Sequence, residues 1–249
     1  MAKAKKAKQN PNKKKIIIRI TALLLIVIGA SIWLYPSVDN QIYKSEQKKV
    51  IENFEKKIKN NKKPKKNKQN DEQHIDLDGL RKAVKAYNRS LIKYGQTNLN
   101  ADTCQRSAID LPKYGLTDNV YGYISIPSLD INMAIYLGAS EYNMACGAAH
   151  LNMTSIPYGQ KSSNAVLAGH CGYWGKQMFQ YISSLQSGDV IYIRTPFEML
   201  TYQVTEKKVI DPTDYQSICI KEKKDMLTLF TCYPYPTNRQ RICVYCERA

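Results

Sequence analysis

Hydrophobic residues change their spacing along this chain, and each change marks an element. Ile16 to Tyr35 is apolar except for Arg19 and small hydroxyls. As a helix, such a run spans about 30 Å, the thickness of a bilayer's hydrocarbon core. Val50, Ile51, Phe54 and Ile58 then recur at helical spacing and predict a weak amphipathic helix. Asn60 to Asn70 has nothing to pack and reads as a solvated linker. Leu77, Leu80, Val84, Tyr87 and Leu91 predict a further helix, with Asp76 as its N-cap and Gly95 just beyond its end.

Beyond residue 119 the pattern turns to short β-rich runs. Val120–Ile126, Ile131–Leu137, Asn164–Ala168, Val190–Arg194, Leu200–Ile210, Leu227–Thr231 and Arg241–Cys246 alternate or are continuously apolar. Ile126-Pro-Ser, Ser187-Gly-Asp and Asp211-Pro are turn signals between them. One short helix is expected over Met178–Leu185. Roughly 175 residues are enough for one core. The pattern implies a mainly β domain, an antiparallel barrel or sandwich with a few helices.

Charge sharpens the division. The whole chain is formally +16, which by itself suggests nucleic acid. Residues 1–70 hold 19 Lys/Arg against 4 Asp/Glu, and residues 71–249 hold 18 against 17. The folded part is therefore nearly neutral, and no nucleic-acid partner is expected. Lysines 3, 5, 6, 8, 13, 14 and 15 precede the apolar run, which places the N-terminus in the cytoplasm and the rest outside. Arg19 can snorkel to the interface, and Trp33 and Tyr35 suit the opposite headgroup region. The run is long for a cleaved signal peptide and is followed by no clear small-x-small site, so it reads as an uncleaved anchor. The expected organisation is a basic tail (1–15), a transmembrane anchor (16–35), a basic stalk or linker (36–75) and an extracellular folded domain (76–249). The last opens with a helix and lid-like region (76–119). The linker's charge could touch anionic lipid or wall polymer, or simply keep a spacer extended.

Three side-chain types at strand edges carry the candidate chemistry. Cys232 ends the run Met226-Leu-Thr-Leu-Phe-Thr-Cys and enters a Tyr-Pro-Tyr-Pro loop. Alone, such a cysteine is commonly buried and inert. His170 follows Ala165-Val-Leu-Ala-Gly, with Gly172 allowing a sharp turn; His74 lies in a polar approach and reads as surface. Arg241 opens Arg-Ile-Cys-Val-Tyr and shares one face with Cys243 and Tyr245, whereas Arg239 lies in the connection before the strand. The remaining cysteines are 104, 146, 171, 219, 243 and 246. Cys243-Val-Tyr-Cys246 has metal or redox spacing, yet on a strand these two positions face opposite sides.

Leu-x-Thr-Cys followed by Arg, with an earlier Gly-His, resembles the sortase family over roughly Leu77 to Arg248. The resemblance implies an eight-stranded sortase β-barrel and acyl transfer. Cys232 would be the nucleophile, His170 the general acid and Arg241 the oxyanion donor, while Thr231 and His150 would contact the substrate. The implied substrate is a surface or pilin protein with a Leu-Pro-x-Thr-Gly-like sorting signal. The acceptor would be a lysine or a peptidoglycan-precursor amine, and no cofactor is implied. Reference pKa values near 8.5 for Cys and 6.5 for His leave on the order of 1% of molecules as thiolate–imidazolium at pH 7. Cys171 adjoins His170, and a disulfide with Cys232 would be inhibitory.

Leu167-Ala-Gly-His-Cys-Gly-Tyr-Trp-Gly-Lys-Gln-Met-Phe, Gly188-Asp-Val-Ile-Tyr-Ile and the segment from Thr231 to Arg241 are most similar to class C, the pilin-polymerising sortases. Ala86-Tyr-Asn-Arg-Ser-Leu91 is similar to their pre-barrel helix, and Gly147-Ala-Ala-His-Leu151 to a stretch whose histidine looks structural or supportive there. Gly95 to Cys104 lacks their Asp-Pro-aromatic lid plug, and the sequence reaches Ala249 without the C-terminal span many of them carry. Cys232-Tyr-Pro-Tyr is also similar to class D, so wall anchoring is the alternative expectation. A barrel that binds peptides without catalysis is a third.

Overall fold

A computed structural model describes residues 11–61 and 74–249, with side chains from residue 15 onward in the first stretch. The expected tail before residue 11 and the linker residues 62–73 lie outside the described residues. Helix α1 (Pro11–Asn61) is continuous through Pro36. Its apolar N-terminal half is bare of packing and is the described helix long and apolar enough to cross a membrane. Helix α2 (Leu77–Tyr94) starts where expected, with Asp76 Oδ1 accepting from the Gly79 amide at 2.8 Å and Gly95 at its end. Helices α3 (Ala101–Cys104) and α4 (Glu141–Cys146) are short.

The strands are β1 (Val120–Ile126), β2 (Ile131–Leu137), β3 (Ala148–His150), β4 (Ser163–Ala168), β5 (Cys171–Tyr173), β6 (Lys176–Met178), β7 (Val190–Arg194), β8 (Met199–Ile210), β9 (Asp225–Tyr233) and β10 (Gln240–Arg248). Eight of them close a barrel in the order β1-β2-β3-β4-β9-β10-β8-β7, and β5 and β6 form a separate hairpin. The mainly β, eight-stranded barrel with short helices is therefore the fold found. Neighbours are antiparallel except β2–β3 and β4–β9, which run parallel. Alternation sorts the side chains. Ile124, Ile135, Leu167, Leu229, Val244 and Cys246 fill the barrel, whereas Val166, Ala168, Met226, Cys243 and Tyr245 join a second cluster with Leu99, Leu151 and Ile218. Cys243 and Cys246 thus point into different clusters, as strand spacing requires.

The expected helix at 178–185 is instead the end of β6 followed by a 3-10 turn, Ile182–Ser184. Met178 pairs with Cys171 and takes a φ of 43°. Phe179, Ile182 and Leu185 are buried at a spacing of three, which one tight turn serves as well as an α-helix.

The segment expected as a stalk is helical to Asn61, and its second half packs on the barrel. Tyr43, Phe54 and Ile58 are buried there. Gln47, also buried, accepts from the Ala134 amide at 2.9 Å and donates to the Cys146 carbonyl at 2.7 Å. Glu55 accepts from Arg194 Nε at 2.9 Å and from the Tyr123 hydroxyl at 3.2 Å. Asn61 pairs with both backbone groups of Ile75, at 2.9 and 3.0 Å. The physical reason is a single stripe. Residues 43, 47, 50, 54 and 58 recur at three and four, and the polar Gln47 is matched by two backbone groups.

Candidate active site

β9 and β10 set the first relationship. Arg241 is the direct cross-strand partner of Cys232 in an antiparallel ladder, with Gln240 opposite Tyr233 and Ile242 opposite Thr231. Direct partners project from the same face of a sheet. The Cys232 thiol and the Arg241 side chain therefore share the face that carries Phe230 and Cys243. Between the strands the chain turns through two cis prolyl bonds, Tyr233-Pro234 and Tyr235-Pro236. Arg239 lies in this exposed turn, outside the ladder.

β4 delivers the imidazole. It runs parallel to β9, from Ser163 opposite Asp225 to Ala168 opposite Phe230. The pairing continues past the strand end, since the Gly169 amide donates to the Phe230 carbonyl at 3.1 Å. Thr231 Oγ1 donates to the Gly169 carbonyl at 2.7 Å. His170 follows directly on this clamp, two residues beyond the last pair of the β4–β9 ladder. The His170 carbonyl accepts from the Phe179 amide at 3.0 Å, so the residue is fastened at both ends of its turn. Of the three sequence-predicted residues, Cys232 and Arg241 are thus paired across β9–β10, and His170 follows the end of β4, the parallel neighbour of β9.

The surroundings tune these groups. The His170 ring stacks on Tyr173 with centroids 4.5 Å apart and planes 11° from parallel. Burial holds its pKa below the usual 6.5, and the Glu141 carboxylate opposes that shift. Burial pushes the Cys171 thiol up; the adjacent Cys232 adds to this, and Thr231 pulls the other way. All seven cysteines are free thiols. Arg241 Nη1 donates to the carbonyls of Asn238 at 3.1 Å and Gln240 at 2.9 Å.

Thr231 and His150 occupy different positions from the triad. Thr231 is buried, and its hydroxyl is spent on the Gly169 carbonyl, so it clamps the cysteine strand to the histidine turn. His150 is fully buried in β3, its Nε2 3.1 Å from the carbonyls of both Thr154 and Ser155. Burial lowers its pKa to about 4, against those two hydrogen bonds. The enclosed imidazole holds the turn after β3 through Nε2, while its Nδ1 is buried without a hydrogen-bond partner among the described residues. The lid-like stretch after α2 is tied to the same side of the barrel: Gln96 donates to the Met153 carbonyl at 2.7 Å and accepts from the Ile220 amide at 2.8 Å.

Two features of the site were not expected from the sequence. The Tyr173 stack comes from the β5–β6 hairpin, whose only signal was the Trp174-Gly175 pair at its turn. Glu141 reaches the histidine's field from the start of α4, capped by Ser140 Oγ accepting from the Asn143 amide at 3.2 Å. No short-range pattern links those two segments.

A sortase-domain family model matches residues 124–249, half of the chain. Sortase A of Listeria monocytogenes is 31% identical over 128 residues, which cover 51% of this chain and 56% of that protein. The chain thus spans about half the length of the curated relatives it matches. Among solved structures, sortase C-1 of Streptococcus pneumoniae superposes with a TM-score of 0.67 at 29% identity, covering 81% of this chain and 98% of the other. Sortase C of Clostridium perfringens, solved with the C-terminal cell wall sorting motif, gives 0.64 at 32% identity with the same coverage.

Proposed function

Because this chain belongs to the sortase family, we propose that it is a membrane-anchored cysteine transpeptidase acting on proteins that bear a sorting signal. The observation that carries this reading is the direct pairing of Arg241 with Cys232, with His170 supplied by the parallel neighbour strand. The Cys232 thiolate attacks the threonine carbonyl carbon of a Leu-Pro-x-Thr-Gly-like signal. Arg241 donates to the oxygen as it gains charge, a task suited to a permanently charged, planar donor set. The threonine–glycine C–N bond breaks, protonated His170 gives its proton to the leaving amine, and an acyl thioester remains on Cys232. An incoming amine then attacks the thioester, forms the new amide and frees the thiolate, while neutral His170 takes up the amine's proton.

The apolar half of α1 supports a single crossing of the membrane, and the lysines before it support a cytoplasmic N-terminus. The accepting amine is read as a pilin lysine, supported by neighbours that are sortase C proteins, one of them holding a cell wall sorting motif. A second reading, anchoring of surface proteins to peptidoglycan, is favoured by the sequence match to a sortase A. Deleting the gene separates them. Loss of high-mass covalent ladders of one surface protein, with other surface proteins still wall-attached, supports pilin polymerisation. Intact ladders with wall proteins released into the medium support anchoring.

A further inference from the structure

The β5–β6 hairpin immediately after His170 leans on the part of α1 that leaves the apolar run. A Cβ at Gly175 would lie 3.3 Å from Pro36 Cα and 3.1 Å from Asp39 Oδ2. Asn40 Oδ1 accepts from the Gln177 amide at 3.1 Å, and Lys176 Nζ lies 5.1 Å from the Tyr43 ring centre. Residues 15 to 38 of α1 are exposed throughout, so the hairpin is where the catalytic body first meets the helix.

Helix rise converts these contacts into a height. With 1.5 Å per residue, Pro36 and Asp39 stand about 2 to 6 Å beyond Tyr35, the last residue of the apolar run. The headgroup layer on each side of a bilayer is about 5 to 7 Å thick. The hairpin tip therefore falls within that layer. Its turn residues are Trp174 and Gly175, with φ of 47° and 84°. Such a two-residue turn normally takes Asn-Gly, and a bulky side chain at positive φ is rare. Trp174 is nonetheless 76% exposed, with little protein contact to explain it. Tryptophan is the residue enriched at the membrane–water interface.

We propose that the β5–β6 hairpin is a second membrane contact, with Trp174 seated among lipid headgroups, so that the bilayer surface forms one side of the approach to His170. This rests on the reading of residues 16–35 as a membrane span. Tyr173, on the same hairpin, is the ring against which His170 stacks, so the contact would also hold the histidine's support.

The chain has two tryptophans, 33 and 174, which makes the test direct. Full-length Trp33→Phe and Trp174→Phe variants are reconstituted in phosphatidylcholine–phosphatidylglycerol vesicles carrying a nitroxide quencher either at the headgroup or deep in the acyl chain. In Trp33→Phe, the emission of Trp174 is expected to be quenched by the headgroup label to within about twofold of Trp33's quenching in the other variant. The deep label should act more weakly on Trp174. If Trp33 is quenched by lipid labels while Trp174 is quenched only by aqueous acrylamide, the hairpin contact is overturned and the span stands. If neither responds to lipid labels, the span reading fails and takes the proposal with it.

Discussion

Arg241 stands directly opposite Cys232 across the β9–β10 ladder, yet its Nη1 is occupied by the carbonyls of Asn238 and Gln240 in its own turn. The backbone fixes where the guanidinium starts, and the turn holds one of its nitrogens. The remaining donors of the fork are the ones available to a developing oxyanion.

This arrangement makes the arginine intolerant of its closest relative. Arg241→Lys keeps the charge but has one ammonium to serve both the turn and the substrate. A loss of about 100-fold or more in kcat/KM is expected, while Arg239→Ala, in the exposed turn, stays near wild type. The opposite ranking in a peptide transpeptidation assay would place the oxyanion donor one pair earlier.

Cys232→Ala should leave less than about 1% of transpeptidation with the thermal transition unchanged. Cys171→Ala should retain most activity, because its thiol lies beside the nucleophile without a bond to make. A covalent adduct formed by a sorting-signal analogue on the wild type, and absent from Cys232→Ala, would locate the thioester. An adduct on Cys171 instead would move the nucleophile.

The burial of His170 sets the pH profile. Its pKa is depressed below 6.5, so the acid limb of kcat/KM is expected below pH 6.5. Glu141 raises that pKa; Glu141→Gln should move the limb to still lower pH and reduce the imidazolium share at pH 7. An upward shift in the variant would show that Glu141 does not act on this histidine.

Helix α1 should matter for stability as well as for location. A chain starting near Asp71 lacks Tyr43, Phe54 and Ile58, buried side chains that contribute roughly 1.5 to 3 kcal/mol each. Compared with a chain starting at Ser37, it should melt about 10 °C lower. It should also lose cooperativity, since the apolar faces of β1 and β2 become exposed. Equal melting curves would mean that the docked half contributes nothing.

Much of this was legible in advance because strand alternation is local. β1, β2 and β7 have the expected boundaries, and β4, β8, β9 and β10 differ from theirs by a few residues. The pairing of Arg241 rather than Arg239 follows from the same alternation. What escaped has no local period. β3, β5 and β6 are three residues each, too short to alternate. The docked half of α1 read as a weak helix because its stripe includes Gln47, whose partners at Ala134 and Cys146 are visible only in three dimensions. The surroundings of His150 escaped in the same way, since its two carbonyl partners and full burial depend on how the turn after β3 folds back.

The paired hydrogen bonds between Asn61 and Ile75 tie the end of α1 to the residue that precedes the N-cap of α2. Tyr43, Gln47, Phe54 and Ile58 dock along the same helix, against the barrel. The apolar half of α1 is therefore joined to the barrel through a docked helix, so the two keep a fixed orientation as a strut and its load do.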